Sequence, residues 1–436
     1  MNNLSAGKPR ATLRAGVCEI DITPDRSLEL GGGAFGRSTG VMHPIFAKAV
    51  MLQSDGARVM LIGCDLLGMD AECATGMRQA VAMATGLPAA AILLACTHTH
   101  NAPATVWLRN WGSPDAEYLR WLEKRIVLAA TQAADRAAEC RLRLITTRCE
   151  GLTTNRCSDD PQLADDMLTA MEVLDAEEHT MAWVVNVACH PVNLHKSGRI
   201  TPDFPHYLQA QLREAGGGEF PVLFFQGASG DLLPANFDGK PREEDAAHTG
   251  RRIAECLQAG EPEPVSGEAQ VSAASVDAPM PLQPLPAEED LQEIIDRREP
   301  ELAKITDPSP TNWKWTGHKT AVEWAREALD ALLDDQPETL DIPLQAIRIG
   351  PLRVLAVPGE LFSEIAIRIR RESDGPLMIV TLANGCEGYL PTAEAYDRGS
   401  YEAVHAPRHI GLRSFAPHVG DVLASEAAKL LQRVAR

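Results

Sequence analysis

The tetrad Thr97-His98-Thr99-His100 places two imidazoles two residues apart. It follows the apolar run Ala90-Ala91-Ile92-Leu93-Leu94-Ala95-Cys96 and precedes Asn101-Ala102-Pro103. The run predicts a buried strand, and the proline predicts that the strand stops there. Imidazole binds zinc and also moves protons near neutral pH. At i and i+2 on a strand both rings face one side of the sheet. A bend at the strand end would let one ring hold metal and the other face a substrate. A His-x-His pair alone is weak grounds for a metal site, and further ligands must come from other strand ends.

Three further apolar runs end in short polar motifs. Val184-Val185-Asn186-Val187-Ala188-Cys189 leads to His190-Pro191, again a histidine stopped by proline. Leu355-Ala356-Val357 leads to Pro358-Gly359-Glu360. Glu360 is expected to open a helix, where the positive dipole end stabilises a carboxylate, so a structural role competes with a chemical one. Ala383-Asn384-Gly385-Cys386-Glu387-Gly388 leads to Tyr389, which alone reads as a half-buried aromatic. Together these are two imidazoles, a carboxylate and a phenol at separate strand ends. His, His and Glu form a catalytic zinc shell that leaves a position open for water. Zinc lowers the pKa of that water toward about 7 and polarises a carbonyl. The chemistry suggested is hydrolysis of an amide or ester.

The elements that must position these groups read as strands mixed with helices throughout. Val17–Pro24 alternates and predicts an opening strand. Ala47–Leu52 and Val59–Cys64 predict a strand pair around the turn Ser54-Asp55-Gly56. Asp115–Ala138 has helical spacing, with Tyr118, Leu119, Trp121, Leu122, Ile126, Leu128 and Ala129 on the apolar face. Leu142–Thr147, Ala182–Cys189 and Val222–Phe225 predict strands, the last followed by Gln226-Gly227-Ala228-Ser229-Gly230. Residues 261–285 read as an irregular connection or an edge strand. Two acidic helical runs near 286–305 and 319–334 predict a helical-hairpin insertion over 286–336, with Trp313, Lys314 and Trp315 between them. Its polar faces read as solvated, and its Trp residues would alternatively shape a substrate mouth. Leu344–Ile349, Leu352–Val357, a helix from Glu360 to about Glu372, Leu377–Leu382 and a last helix over about 418–434 complete the pattern. The expectation is one large α/β domain over 1–436, with a mixed sheet, flanking helices and a flexible tail over 1–14.

Seven segments, in order from about Gly16 to the C-terminus, make the chain resemble the neutral/alkaline (non-lysosomal) ceramidase family in its N-terminal catalytic domain. They are GVCEIDITP, CTHTHNAP, Asn155-Arg156-Cys157, VACHP, QGASGDLLPAN, PGEL and GYLPTAEAYDRGSYE. The resemblance implies that domain's fold and zinc held by His98, His190, Glu360 and Tyr389. It implies that His100 assists proton transfer and that Arg156 stands beside the developing oxyanion. A further tyrosine lies twelve residues after the metal tyrosine in that family, and Tyr401 stands at that interval from Tyr389. It also implies a zinc-dependent amidohydrolase that cleaves a non-peptide, N-acyl amine type amide by attack of metal-bound water. The departures bear on substrate. Leu233 stands where the family's GDxSPN segment has a serine, and leucine is neither nucleophile nor donor. Either water attacks, or the chain is an inactive metal-binding homologue. Cys157 replaces the serine of the family's NRS. The family's C-terminal immunoglobulin-like domain and a secretion signal are not visible. A small soluble substrate is therefore expected rather than ceramide, with an esterase or lactonase on the same metal shell as the alternative.

Composition excludes some classes. The chain has 436 residues, 45% hydrophobic and 23% charged, with net charge -19. That acidity argues against nucleic acid and anionic membranes as partners and favours a small-molecule substrate. No run of about 18 apolar residues predicts a membrane span. The start lacks a signal peptide's apolar core, and the ten cysteines form no CxxC pair. They are read as reduced thiols, which with the missing leader predicts a cytoplasmic location. Gly31-Gly32-Gly33-Ala34-Phe35-Gly36 satisfies GxGxxG without a βαβ context and reads as a loop near the site mouth. Arg37 and His43 on that loop and its exit would touch substrate or be solvated. Ser229 lacks the GxSxG spacing of a nucleophile elbow and reads as part of a tight turn. Asp231 is expected to bond a metal-bound histidine or cap a turn, and Asp65 to support the site or cap a helix. One of His195 and His206 is expected to line the pocket and neither to bind metal.

Overall fold

Each of the three larger sheets carries one parallel strand pair at an edge, and in each case a helix makes the crossover. The computed structural model describes residues 13–33, 36–265, 269–411 and 413–435. The first sheet runs in the order Ile92–Cys96, Ala57–Cys64, Phe46–Ser54, Arg14–Asp21, Ala138–Glu139. The second runs Val222–Gln226, Thr180–Val187, Met167–Leu174, Arg141–Arg148, Glu263–Val265. The third runs Val271–Pro281, Thr339–Ile349, Leu352–Ala356, Leu377–Val380. The parallel pairs are Ala57–Cys64 with Ile92–Cys96, Thr180–Val187 with Val222–Gln226, and Leu352–Ala356 with Leu377–Val380. Their crossover helices are Ala71–Thr85, Phe204–Gly216 and Ser363–Arg371. The edge strands Ile92–Cys96, Val222–Gln226 and Leu377–Val380 are buried at every position. Strands covered on both faces read as unbroken apolar runs, which is why the sequence shows them so plainly.

Those edges meet one another, and buried amides join them. Asn186 Nδ2 donates to Phe225 O (3.0 Å) and Ile379 O (2.9 Å), while its Oδ1 accepts from Ile379 N (3.1 Å). Asn384 Oδ1 accepts from Leu94 N (3.1 Å), and its Nδ2 donates to Gln345 Oε1 (2.8 Å). Gln345 in turn donates to Ala90 O (2.7 Å) and Ile92 O (3.1 Å). Thr381 N donates to Gln226 O at 2.9 Å. The three edges therefore close on one line, and the chain leaves their C-terminal ends into one region. In open α/β sheets that is where ligand sites form.

Local chemistry accounts for the flanks. The Phe46–Ser54/Ala57–Cys64 hairpin turns on Asp55 (φ 51°) and Gly56 (φ 79°), both left-handed as a two-residue turn of this type needs. Helix Ala116–Asp135 starts at Asp115, whose carboxylate accepts from Glu117 N and Tyr118 N. It lies so close to the first strand that a Cβ on Gly16 would stand 1.9 Å from Ala133 O. Trp121 does not join its buried face; it is 37% exposed, with Arg125 against its ring.

Of the two readings of residues 261–285 the edge strand holds: Val271–Pro281 is an eleven-residue strand at an edge, where its prolines remove no ladder bond from a second neighbour. Other expectations change. The insertion consists of helices Glu288–Ala303 and Trp313–Ala331, packed through Leu291, Ile295, Ala325 and Ala328. Asn312 caps the second helix by accepting from Lys314 N and Trp315 N, so Trp313 and Trp315 occupy its first turn rather than a connecting segment. Glu360 does not open a helix. Glu360–Leu361 pairs in parallel with Tyr389–Leu390, and the helix begins at Ser363. Of the expected tail, residues 1–12 lie outside the described residues, while Leu13 is buried and Arg14 opens the first strand. Cys149 and Cys256 form a disulfide with Cα atoms 5.6 Å apart, and the other eight cysteines are free. Reduced thiols throughout are thus corrected, and cysteine usage no longer argues for a cytoplasmic location. Among the described residues no helix is long and apolar enough to cross a membrane.

Removing one amide joint tests this architecture. Asn186→Ala orphans the buried Ile379 N–H and opens a small cavity, so it should cost at least about 2 kcal/mol in urea unfolding. A loss within about 0.5 kcal/mol, typical of a surface change, would show that the joint does not hold the sheets.

Candidate metal centre

The strand Ile92–Cys96 ends before the tetrad, and the backbone bends sharply at His98, whose φ is 71°. Thr97 N and His98 N bond back to Cys64 O and Leu66 O, both at 2.9 Å. This bend, rather than strand alternation, sets the ring directions; the His98 and His100 rings stand edge to face at 4.9 Å. His190 comes from beyond the end of Thr180–Val187. Its ring lies 4.5 Å from that of His98 and 5.1 Å from that of His100.

Each ring is anchored through Nδ1 to a carbonyl: His98 to Leu67 O (2.8 Å), His100 to Gly32 O (2.9 Å), His190 to Ser229 O (3.3 Å). A carbonyl only accepts, so each Nδ1 carries the proton, and in a neutral ring Nε2 is a bare lone pair. Burial, then the neighbouring imidazoles, lower the pKa of His100 and of His190 well below the ordinary value, so both are neutral. The bare nitrogens converge. His100 Nε2 faces His190 Nε2 at 3.0 Å, and the three rings offer ligand atoms within 4.8 Å of one another. His98 Nε2 lies 3.2 Å from Glu360 Oε2, and both atoms are buried without a hydrogen-bond partner. The two bare nitrogens of His100 and His190 facing each other, with the Glu360 carboxylate beside His98, repel unless a proton or a metal cation lies among them. These residues therefore fit a divalent metal, and the carbonyl-anchored rings match how metal-ligating histidines are held. His100, expected beside the ligand set, belongs to the same cluster as His98 and His190.

Glu360 and Tyr389 are register partners in their two-residue ribbon. Tyr389 OH accepts from Arg156 Nη2 at 3.4 Å. Burial, then the Glu360 charge, push the phenol well above its usual range. Arg156 follows the strand Thr153–Asn155, which pairs with Leu232–Pro234. Its Nη2 donates to Gly230 O at 2.7 Å, and its Nε lies 2.8 Å from Glu402 Oε1. Burial opposes its charge, but Tyr389, Glu402 and Glu360 outweigh that and hold its pKa above normal. Tyr401 opens a π-helical turn, Tyr401–His405, a form common at functional sites. Its ring is 6.3 Å from that of Tyr389. All seven residues singled out in the sequence thus lie around one centre.

Glu402 was not anticipated. It is 3% exposed, grips Arg156, and accepts from Cys157 Sγ at 3.3 Å. Nothing in its local sequence marks it except adjacency to Tyr401. Burial and then the Glu402 charge push Cys157 up to about 12, so its thiol stays protonated and donates. Leu233 pairs with Thr154 in the ribbon that carries Arg156. Asp231 bonds no histidine. It accepts from Asn155 Nδ2 (2.7 Å), Ser363 N (2.8 Å) and Ser363 Oγ (2.7 Å), tying the Arg156 ribbon to the segment after Glu360. Asp65 neither supports the site nor caps a helix; it pairs with buried Lys48 at 3.5 Å. His190 meets the carbonyl of Ser229 rather than its hydroxyl, so Ser229 lacks a base there. His195 lies 6.0 Å from His100 ring to ring, whereas His206 stacks on His43. The glycine-rich loop does reach the site: a Cβ on Gly32 would stand 2.7 Å from His100 Nδ1.

The sequence matches no protein-family model and no curated protein. Among solved structures it is similar to the neutral ceramidase from Pseudomonas aeruginosa, with a TM-score of 0.73 and 18% identity over 98% of this chain and 75% of that one. It is likewise similar to a ceramidase complexed with C2, with a TM-score of 0.75 and 17% identity over the same shares. The chain has a divergent neutral ceramidase-like fold: one α/β domain of several mixed sheets with flanking helices and a helical-hairpin insertion.

The neutral imidazoles set a pH dependence for the metal-free protein. Their folded pKa values lie below 6.5, so beneath about pH 6.5 the unfolded state binds more protons than the folded one. Stability should be full above that pH and fall as acid is added, by up to about 1.4 kcal/mol per pH unit for each ring. Urea unfolding of chelator-stripped protein at pH 7.5 and 5.5 measures this; equal stabilities would contradict buried neutral rings.

Proposed function

We propose that the chain is a zinc-dependent hydrolase of a non-peptide, N-acyl amine type amide. The observation that carries this reading is the buried convergence of His98 and His190 with Glu360, with the His100 ring beside them and an arginine fixed by a buried carboxylate. His98, His190, Glu360 and Tyr389 would hold the zinc. Bound there, zinc supplies a Lewis acid and lowers the pKa of water toward about 7.

The remaining groups act on the amide itself. Arg156 is braced by Glu402 and Gly230 O, and its charge would stabilise the carbonyl oxygen as it becomes an anion. A donor fixed before the reaction needs no reorganisation, which is the source of its catalytic weight. Tyr401 supplies a second hydroxyl on that side. His100 has its Nδ1 proton committed to Gly32 O, which leaves Nε2 as the base that takes a proton from the attacking water and returns it to the leaving nitrogen. Leu233 offers no nucleophile, and its backbone serves the ribbon under Arg156. This supports water as the attacking group. Cys157 keeps a donor on Glu402 where the family has a serine, so that replacement preserves the brace.

Elemental analysis of the purified protein should find zinc. Chelation should abolish amide hydrolysis and added zinc should restore it. His100→Ala should lower kcat by roughly two to four orders of magnitude, and Arg156→Ala by roughly two to three. Turnover that survives chelation would end the proposal. In paired amides and esters of one skeleton, turnover confined to the esters would reassign the reaction while keeping the metal.

A further inference from the structure

We propose that the cleft beside the metal centre binds a neutral, polyhydroxylated ring, and, resting on the amide-hydrolase reading above, that the substrate is an N-acylated amino sugar. The cleft has a volume of about 800 Å³, within the range of small-molecule sites. It borders the metal centre at two points. Gly33, on its wall, adjoins Gly32, whose carbonyl holds His100. Trp111, also on its wall, lies 6.4 Å ring to ring from Tyr401.

Three indoles line it: Trp107, Trp111 and Trp315. Each is backed by a fixed neighbour. Trp111 stacks on His409 at 3.6 Å, Arg109 lies 5.2 Å from the Trp107 ring centre, and Lys319 lies 5.4 Å from that of Trp315. Trp107 is nonetheless 40% exposed. Rings held this way offer rigid, electron-rich surface, which attracts the weakly positive C–H face of a sugar ring.

Acceptors stand among the indoles, already oriented. Glu327 receives both Arg109 nitrogens, at 2.6 and 2.5 Å. Glu323 receives Asn110 Nδ2 at 2.9 Å and pairs with Lys319 at 2.7 Å. Glu29 receives Ser113 N at 2.9 Å. A carboxylate accepts about four bonds, so lone pairs remain for ligand hydroxyls, in positions settled before binding.

The wall charges decide between ligand classes. Three carboxylates, Glu29, Glu323 and Glu327, and three guanidinium groups, Arg37, Arg109 and Arg326, line the cleft. A carboxylate or an amine as ligand would meet as much repulsion as attraction. An alkyl chain would cover these groups and return no hydrogen bonds, at a desolvation cost of roughly 1–3 kcal/mol for each polar group so buried. A neutral ring with hydroxyls on its edges and C–H bonds on its faces satisfies both kinds of wall.

Calorimetric titration of the zinc-loaded protein with N-acetylglucosamine, its β-1,4-linked dimer, N-hexanoylethanolamine and N-acetylglycine tests the assignment. The sugars should bind more tightly than the other two. Trp107→Ala and Trp315→Ala should each weaken sugar binding by about tenfold, the loss of one stacking contact. Trp315→Phe should restore most of it, with circular dichroism and zinc content reporting folding. Tighter binding of the alkyl amide or the acid, or sugar affinity indifferent to both tryptophans, would overturn the proposal. Release of free amine from each amide, measured in parallel, separates the two readings. Hydrolysis of alkyl amides without sugar binding rejects the cleft assignment alone. Tryptophan-dependent sugar binding with no amide cleaved supports the cleft and rejects the hydrolase.

Discussion

Everything at the site depends on three sheet edges being held against one another by amide side chains sealed from water. Asn186 reaches from the second sheet to the third, and Asn384 with Gln345 joins the third to the first. In this interior each such bond is directional, and a displaced partner is left unsatisfied at a cost of roughly 1–3 kcal/mol. Apolar packing alone would let the sheets slide. The amides fix their register, and with it the relative positions of chain segments that emerge hundreds of residues apart. His98, His190, Glu360 and Tyr389 meet because the strands before them are locked in place.

The centre itself reverses this pattern. Asn186, Asn384 and Gln345, which join the sheets, are satisfied, whereas His98 Nε2 and Glu360 Oε2 have no hydrogen-bond partner. Each ring spends its proton on a backbone carbonyl that belongs to the scaffold, and turns its other nitrogen inward. The fold thus builds a cluster of donor atoms that a divalent cation would suit. Arg156 is the opposite case, a buried cation whose compensation is complete within the protein through Glu402 and Gly230 O. Leu233 and Cys157, which depart from the family pattern, both serve this arginine, one through the ribbon beneath it and one through its carboxylate partner.

The insertion and the site mouth form one structure. The second helix of the hairpin bonds to the loop that carries Trp107 and Trp111, through Asn110 to Thr320 at 3.0 Å and through the Arg109–Glu327 pair. That loop also donates from Arg109 N to His409 O at 2.6 Å, and so reaches the segment after Tyr401. Access to the histidine cluster is shaped by elements braced with ion pairs and stacked aromatics.

Sequence alone determined which strands exist and which residues stand at their ends. Apolar runs closed by proline or glycine are local signals, and they located His98, His100, His190 and Tyr389 without any contact information. Tyr401 and Arg156 carried no local signal of this kind and were marked only by the resemblance to a known family. Only the tertiary structure decided that Glu360 lies on a ribbon with Tyr389 instead of opening a helix, because that pairing spans the chain and has no local signature. The same holds for Glu402 against Arg156, for Asp231 against Ser363, and for the Cys149–Cys256 bond. Each needs two segments brought together by the sheet edges, and periodicity carries no information about which distant partner a polar side chain will meet.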